Sequence, residues 1–223
     1  ESGLTRSKNS INVAVKNFSD FSISALLYWL FGFGLMFGRS IGGWLGGSDF
    51  AISVESQPDL AAFFVFQLMF CGTSTTIISG AVAERLRFLG YIMICAICSG
   101  PIYPLFGHWV WNGIQAGDRQ GWLGQLGFYD FAGSTVVHSI GAWVALAALL
   151  VVGPRTGRFD ENGQPRKMGG SNLPFSMLGA MFLWMGWLGF NGGSTLALND
   201  QVPPVIVHTL VAGAVSYTHL RAH

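Results

Sequence analysis

The chain has 223 residues, with 12 Lys and Arg against 11 Asp and Glu, and only 10% of it is charged, where a soluble domain carries about 25%. Hydrophobic residues reach 51%, aromatic residues 14%, and the mean hydropathy is +0.46. This composition excludes a disordered chain and most soluble enzymes, and a net charge of +1 gives no field for recruiting nucleic acid, so a membrane protein remains.

A helix that crosses a bilayer needs roughly 17–25 mostly apolar residues. Uncharged or nearly uncharged runs predict spans at Phe21–Gly38, Leu60–Ala83, Phe88–Gly117, Phe131–Pro154 and Leu173–Asn199, with a shorter apolar stretch at Val202–Val215. None shows the polar face at helical period that a soluble helical core would carry. The fold class is therefore all-α: a polytopic helical membrane protein with five full spans and an incomplete sixth. Its lipid partner is the bilayer, and the 31 glycines suit close helix contact there.

Basic residues alternate along the connections. Arg6, Lys8 and Lys16 precede the first span, Arg85 and Arg87 follow the second, and Arg155, Arg158, Arg166 and Lys167 follow the fourth. The intervening connections hold only Arg39 and Arg119, so nine of the twelve basic residues sort to one side, and Arg221 lies in the tail. This excess predicts a cytoplasmic N-terminal side. Residues 1–215 read as one membrane domain. Glu1-Ser-Gly-Leu-Thr-Arg reads as the exit from an earlier helix, and the abruptly polar 216–223 as a foreign tail.

Polar residues inside spans are the first functional candidates. His138 lies eight residues after Asp130, in Asp-Phe-Ala-Gly-Ser-Thr-Val-Val-His. Its neutral ring offers one donor and one acceptor, which suits passage of a small polar molecule or a proton; the alternative is a structural histidine bonded to a neighbouring helix. Asp130 fits a helix N-cap as well as it fits a direct ligand, and its carboxylate would also shape the field at the outer mouth. Trp109, Trp111 and Trp122 form either an interfacial belt or a cage for an ammonium-type cation. Phe66, Phe70 and Phe190 carry the same ambiguity. Gly186–Ser194 has glycines at 186, 189, 192 and 193 before a hydroxyl at Ser194, and Thr73–Thr76 and Ser79 read more readily as helix–helix contacts than as a pathway. Cys71, Cys95 and Cys98 lack metal-site spacing. No cofactor, metal or catalytic triad is expected, so the chain does not read as an enzyme.

Seven strings in order resemble the ammonium transporter family, the Amt, Mep and Rh group, on its bacterial Amt side. They are Gly3–Asn9, Phe66–Phe70, Ile78–Arg85, His108–Trp111, Asp130–His138, Gly153–Arg155 and Gly186–Ser194. The resemblance implies an eleven-helix protomer, a homotrimer with one pore per subunit, and a chain covering the second to sixth family helices and part of the seventh. It implies a cell (plasma or inner) membrane location. It matches Trp111 and Ser194, with Phe70 beside them, to an outer ammonium-binding site, and Asp130 to a structurally important aspartate nearby. Phe70 and Phe190 match stacked rings gating the pore, with Phe66 nearby. Trp187 matches a pore-lining tryptophan and His138 the first of two pore histidines. The second histidine belongs to a later helix, which His219 and His223 do not replace. His208 stands where the family usually has asparagine and is taken as structural.

The implied function is ammonium recruitment, deprotonation and conduction of ammonia through an apolar, His-lined pore. The competing expectation is an ammonium-sensing membrane domain of a signalling protein. The resemblance also implies a PII-type regulatory protein on the basic connection Arg155–Lys167, and no nucleic acid.

Overall fold

The computed structural model describes residues 1–219, with side chains as far as Ser216. Among the described residues, five helices are long and apolar enough to cross a membrane: α1 (Ser7–Phe37), α2 (Pro58–Val82), α3 (Phe88–Ala116), α4 (Ser134–Val152) and α5 (Leu173–Gly193). The helix α6 (Val202–His219) carries the shorter apolar stretch and continues into the polar tail. His223 lies outside the described residues. A small antiparallel hairpin, β1 (Ser40–Ile41) and β2 (Leu45–Gly46), follows α1.

The boundaries of α2 to α5 lie close to the uncharged runs, whereas α1 begins at Ser7, well before Phe21. The difference comes from charged residues inside the helix (Lys8, Lys16 and Asp20), two of which are buried. Lys16 is 2% exposed and Asp20 1%. Lys16 Nζ donates to the Leu86 carbonyl at 2.7 Å and sits 5.6 Å from the centre of the Tyr91 ring, while the Tyr91 hydroxyl donates to Asp20. Charges facing the bundle with partners of this kind are tolerated in a span. Reading spans from charge gaps alone misses them.

Pro101 lies inside α3, where it removes a donor and crowds the preceding turn. The helix answers with a wide turn over Cys98–Ile102, in which Tyr103 N–H reaches back to the Cys98 carbonyl. Elsewhere, small residues allow close crossings. A β-carbon at Gly141 of α4 would stand 2.6 Å from the Ser74 carbonyl oxygen of α2.

The chain divides into two compact units, the first running from Glu1 to Ser171. Within it the basic connections converge. Arg6 Nε donates to Glu84 at 2.6 Å, Arg85 Nη1 donates to the Gly153 carbonyl at 3.1 Å, and Ser171 N donates to the Thr5 carbonyl at 3.0 Å. At the other end of the helices, Ser40 Oγ meets His108 Nε2 at 2.9 Å and Trp122 N donates to the Gly43 carbonyl at 3.0 Å. The alternation of charge is thus an alternation of faces.

The second unit begins at Asn172. Asn172 Oδ1 accepts from Phe175 N at 2.9 Å and caps α5. Asn191 of α5 donates to Thr209 of α6 at 2.9 Å.

Candidate functional site

The site in the first unit is built around the start of α4. Both carboxylate oxygens of Asp130 turn towards that helix. Oδ1 accepts from Gly133 N (2.8 Å) and Ser134 N (3.1 Å), and Oδ2 accepts from Thr135 N and Val136 N (each 2.8 Å). Four backbone donors that would otherwise be orphaned at a helix start are satisfied by one side chain. Asp130 is 4% exposed.

The Asp130 carbonyl binds a second element. Trp111 Nε1, at the end of α3, donates to it at 2.7 Å. That bond holds the Trp111 ring across α4, so a β-carbon at Gly133 would sit 3.4 Å from the ring's Cη2. Gly133 also has φ +93°, a left-handed conformation that favours glycine. Phe70 of α2 stands 5.8 Å from Trp111 between ring centroids, and Phe66 packs edge-on to Phe70 at 4.5 Å. Trp111 and Phe70 are each 2% exposed. Sequence reading proposed Phe66, Phe70, Trp111 and Asp130 separately; the fold brings them into one group.

His138 lies one wide turn into α4. Its backbone N–H and its Nδ1 both lie within hydrogen-bond distance of the Gly133 carbonyl, at 2.9 and 3.0 Å. The histidine is thereby tied to the glycine under the Trp111 ring. The other intramembrane histidine of this unit, His108, is fully buried between the Met36 carbonyl (3.0 Å, at Nδ1) and Ser40 Oγ (2.9 Å). Both of its ring nitrogens are occupied, so it serves the fold.

The tryptophans that the charge pattern predicts at the outer end separate into two sets. Trp109 donates from Nε1 to the Trp44 carbonyl at 2.8 Å, and Trp44, Trp109 and Trp122 contact one another at centroid distances of 5.3 to 5.8 Å. Trp111 points inward to Asp130.

The second unit holds the remaining candidates. Ser194 Oγ donates to the Phe190 carbonyl at 2.8 Å, closing the last turn of α5. Trp187 is 37% exposed and lines a cavity of about 400 Å³ with Trp184, Asn191, Thr209 and Gly213. His208 lies on α6, beside Thr209, and is exposed.

Residues 1–220 match the model of the Ammonium Transporter Family. The chain belongs to that family. It is a multi-pass, mostly helical membrane protein of the ammonium transporter type. A putative ammonium transporter of Synechocystis sp. is 61% identical over 96% of the chain and 40% of that relative. The ammonium transporter Amt2 of Archaeoglobus fulgidus is 40% identical over 96% of the chain and 47% of the relative. Among solved structures, one described as a sensor Amt protein superposes with a TM-score of 0.85 at 44% identity, covering 92% of this chain and 51% of that one. Saccharomyces cerevisiae Mep2 gives 0.72 at 28% identity, covering 86% and 43%. The chain spans about half the length of the relatives it matches.

Two residues of this ammonium transporter chain escaped the sequence reading. Gln67 lies next to Phe66 in a matching string, and its Oε1 is buried with no hydrogen-bond partner among the described residues. A polar residue mid-span was the available signal. Trp44 lies in a short hairpin, where nothing local distinguishes a packing tryptophan from a loop residue.

Proposed function

We propose that the complete protein carries ammonium across a cell membrane by binding it on aromatic rings, removing a proton and conducting ammonia. The observation that carries this reading is the Phe66–Phe70–Trp111 ring group fastened by Trp111 to Asp130, one wide turn from His138. Ring faces attract an ammonium ion by about 0.5–2 kcal/mol per contact, and the Asp130 charge adds a favourable field. The buried Gln67 oxygen adds an acceptor. An unpaired ion in a low-dielectric interior costs tens of kcal/mol by Born estimates, which a few such contacts cannot offset. Deprotonation near the ring gate avoids that cost.

In this reading Trp111 and Phe70 recruit, Phe66 and Phe70 gate, and His138 accepts hydrogen bonds or relays the proton. The family resemblance supports matching roles for Ser194 in recruitment, Phe190 in the gate and Trp187 along the pore. It also supports a homotrimer and a PII-type regulator on the basic face. Cells lacking their own ammonium uptake, given the complete protein, test the reading: growth on limiting ammonium supports it, and no growth despite membrane expression contradicts it.

The likeness to a sensor Amt protein favours a second reading, an ammonium-sensing membrane domain. A signalling domain fused to the complete protein, together with an ammonium-dependent signal and no uptake, would select it.

A further inference from the structure

The helix α1 ends at Phe37, so its last carbonyls cannot be bonded by a following turn. The helix α3 supplies partners for them. His108 Nδ1 lies 3.0 Å from the Met36 carbonyl, and Asn112 Nδ2 donates to the carbonyls of Met36 and Gly38, each at 3.0 Å. A carbonyl only accepts, so Nδ1 of His108 carries a hydrogen, and Nε2 is left to meet the Ser40 hydroxyl at 2.9 Å. Met36 and His108 are fully buried, and Asn112 nearly so. Gly107 lets the two helices close up at this point, because a β-carbon on it would overlap the Met36 side chain.

The two clamping residues flank Trp111 on α3. His108 lies three residues before it and Asn112 directly after it. Asn112 also shapes the end of the helix: its N–H donates to the His108 carbonyl at 3.2 Å, and its own carbonyl accepts from Gln120 N at 3.1 Å. Trp111 is therefore fixed twice. Its indole is held at the Asp130 carbonyl, and the backbone that carries it is held against the end of α1. The amide donors of Asn112 and the Nδ1 donor of His108 are spent on α1, which leaves them for placing the ring and not for holding an ion.

We propose that His108 and Asn112 are positioning residues for the aromatic recruitment site, setting where Trp111 stands relative to Phe70 by bonding the end of α1 from α3. The inference rests on the recruitment reading of Trp111 and deepens it. Its physical ground is the short reach of the attraction. A cation is drawn to a ring only within about 6 Å of the centroid, and the centroids of Phe70 and Trp111 are 5.8 Å apart. A small shift at the end of α3 therefore takes one ring away from an ion held by the other. The bond to Asp130 fixes the indole N–H but lets the ring pivot about it, and the clamp on α1 removes that freedom.

Ammonium uptake by the complete protein, measured over a concentration series in the unaltered and Trp111→Leu backgrounds, tests this as a double-mutant cycle. His108→Gln places an amide where Nε2 stands, so it keeps Ser40 and loses Met36. His108→Asn places one where Nδ1 stands, so it keeps Met36. His108→Gln should raise the ammonium concentration at half-maximal uptake about threefold or more, the size of a modest coupling between neighbours, with a smaller change in maximal rate. His108→Asn should restore the unaltered value, and Ser40→Ala should leave it in place. In the Trp111→Leu background His108→Gln should add nothing, because the ring it positions is gone. Asn112→Leu carries the same measurement if His108→Gln does not reach the membrane.

An equal rise in both backgrounds overturns the proposal. So does a lower maximal rate at unchanged half-saturation, or His108→Asn behaving no better than His108→Gln. If Trp111→Leu alone leaves half-saturation unchanged, the recruitment reading falls and the positioning role falls with it. If Trp111→Leu raises it and neither His108→Gln nor Asn112→Leu does, the positioning role alone falls.

Discussion

The indole N–H of Trp111 donates to the main-chain carbonyl of Asp130 at 2.7 Å, while the Asp130 carboxylate accepts four N–H groups from the first turn of α4. One residue thus fixes both the ring offered to a cation and the helix that carries His138.

Asp130→Ala should therefore damage the fold as well as transport. It leaves buried N–H groups unsatisfied, each costing about 1–3 kcal/mol, and we expect little folded protein in the membrane. Asp130→Asn keeps one acceptor oxygen and should fold with a lowered melting temperature. The two melting curves, with membrane yield, check this ordering.

Trp111→Leu tests the ring itself. Losing one cation–ring contact of about 0.5–2 kcal/mol corresponds to roughly a 2- to 30-fold rise in the ammonium concentration at half-maximal transport. The maximal rate should change less. A concentration series of uptake, with Trp111→Phe as the ring-retaining control, measures it.

The crossing of α2 and α4 depends on Gly141. A β-carbon there would meet the Ser74 carbonyl oxygen at 2.6 Å and Ile77 Cβ at 3.0 Å, so backbone must shift. Overpacking of this kind costs about 1–3 kcal/mol. Gly141→Ala should lower the melting temperature, and Gly141→Leu should lower it further.

On the basic face, acid should loosen the link between the N-terminal segment and the connection after α2. Burial raises the Glu84 pKa, but hydrogen bonds from Arg6, its charge and that of Arg155 outweigh it and hold the carboxyl below its ordinary 4.5. The stabilisation is fully present above that ordinary value and is lost as pH falls through the lowered one. Melting measured from pH 7 down to the region below 4.5 should show an acid-sensitive decrease that Glu84→Gln removes.

Much of this was legible in the sequence because a bilayer punishes charge, so α2 to α5 follow from where charges are missing. The start of α1 was not, because Lys16 and Asp20 are stabilised by the Leu86 carbonyl and the Tyr91 hydroxyl, partners some seventy residues away. The site was legible as residue types and motif strings. Sequence left Asp130 open between cap and ligand, and only the three-dimensional arrangement shows its oxygens taken up by four N–H groups. It also left Trp109, Trp111 and Trp122 as one set, whereas Trp44, from a distant hairpin, draws two of them away from Trp111.

His138 carries the central claim. Current evoked by an ammonium pulse, recorded from proteoliposomes containing the complete protein, should be present in the unaltered form and abolished in His138→Val at equal incorporation. An undiminished current in that variant would contradict the assignment of His138 to the conduction path.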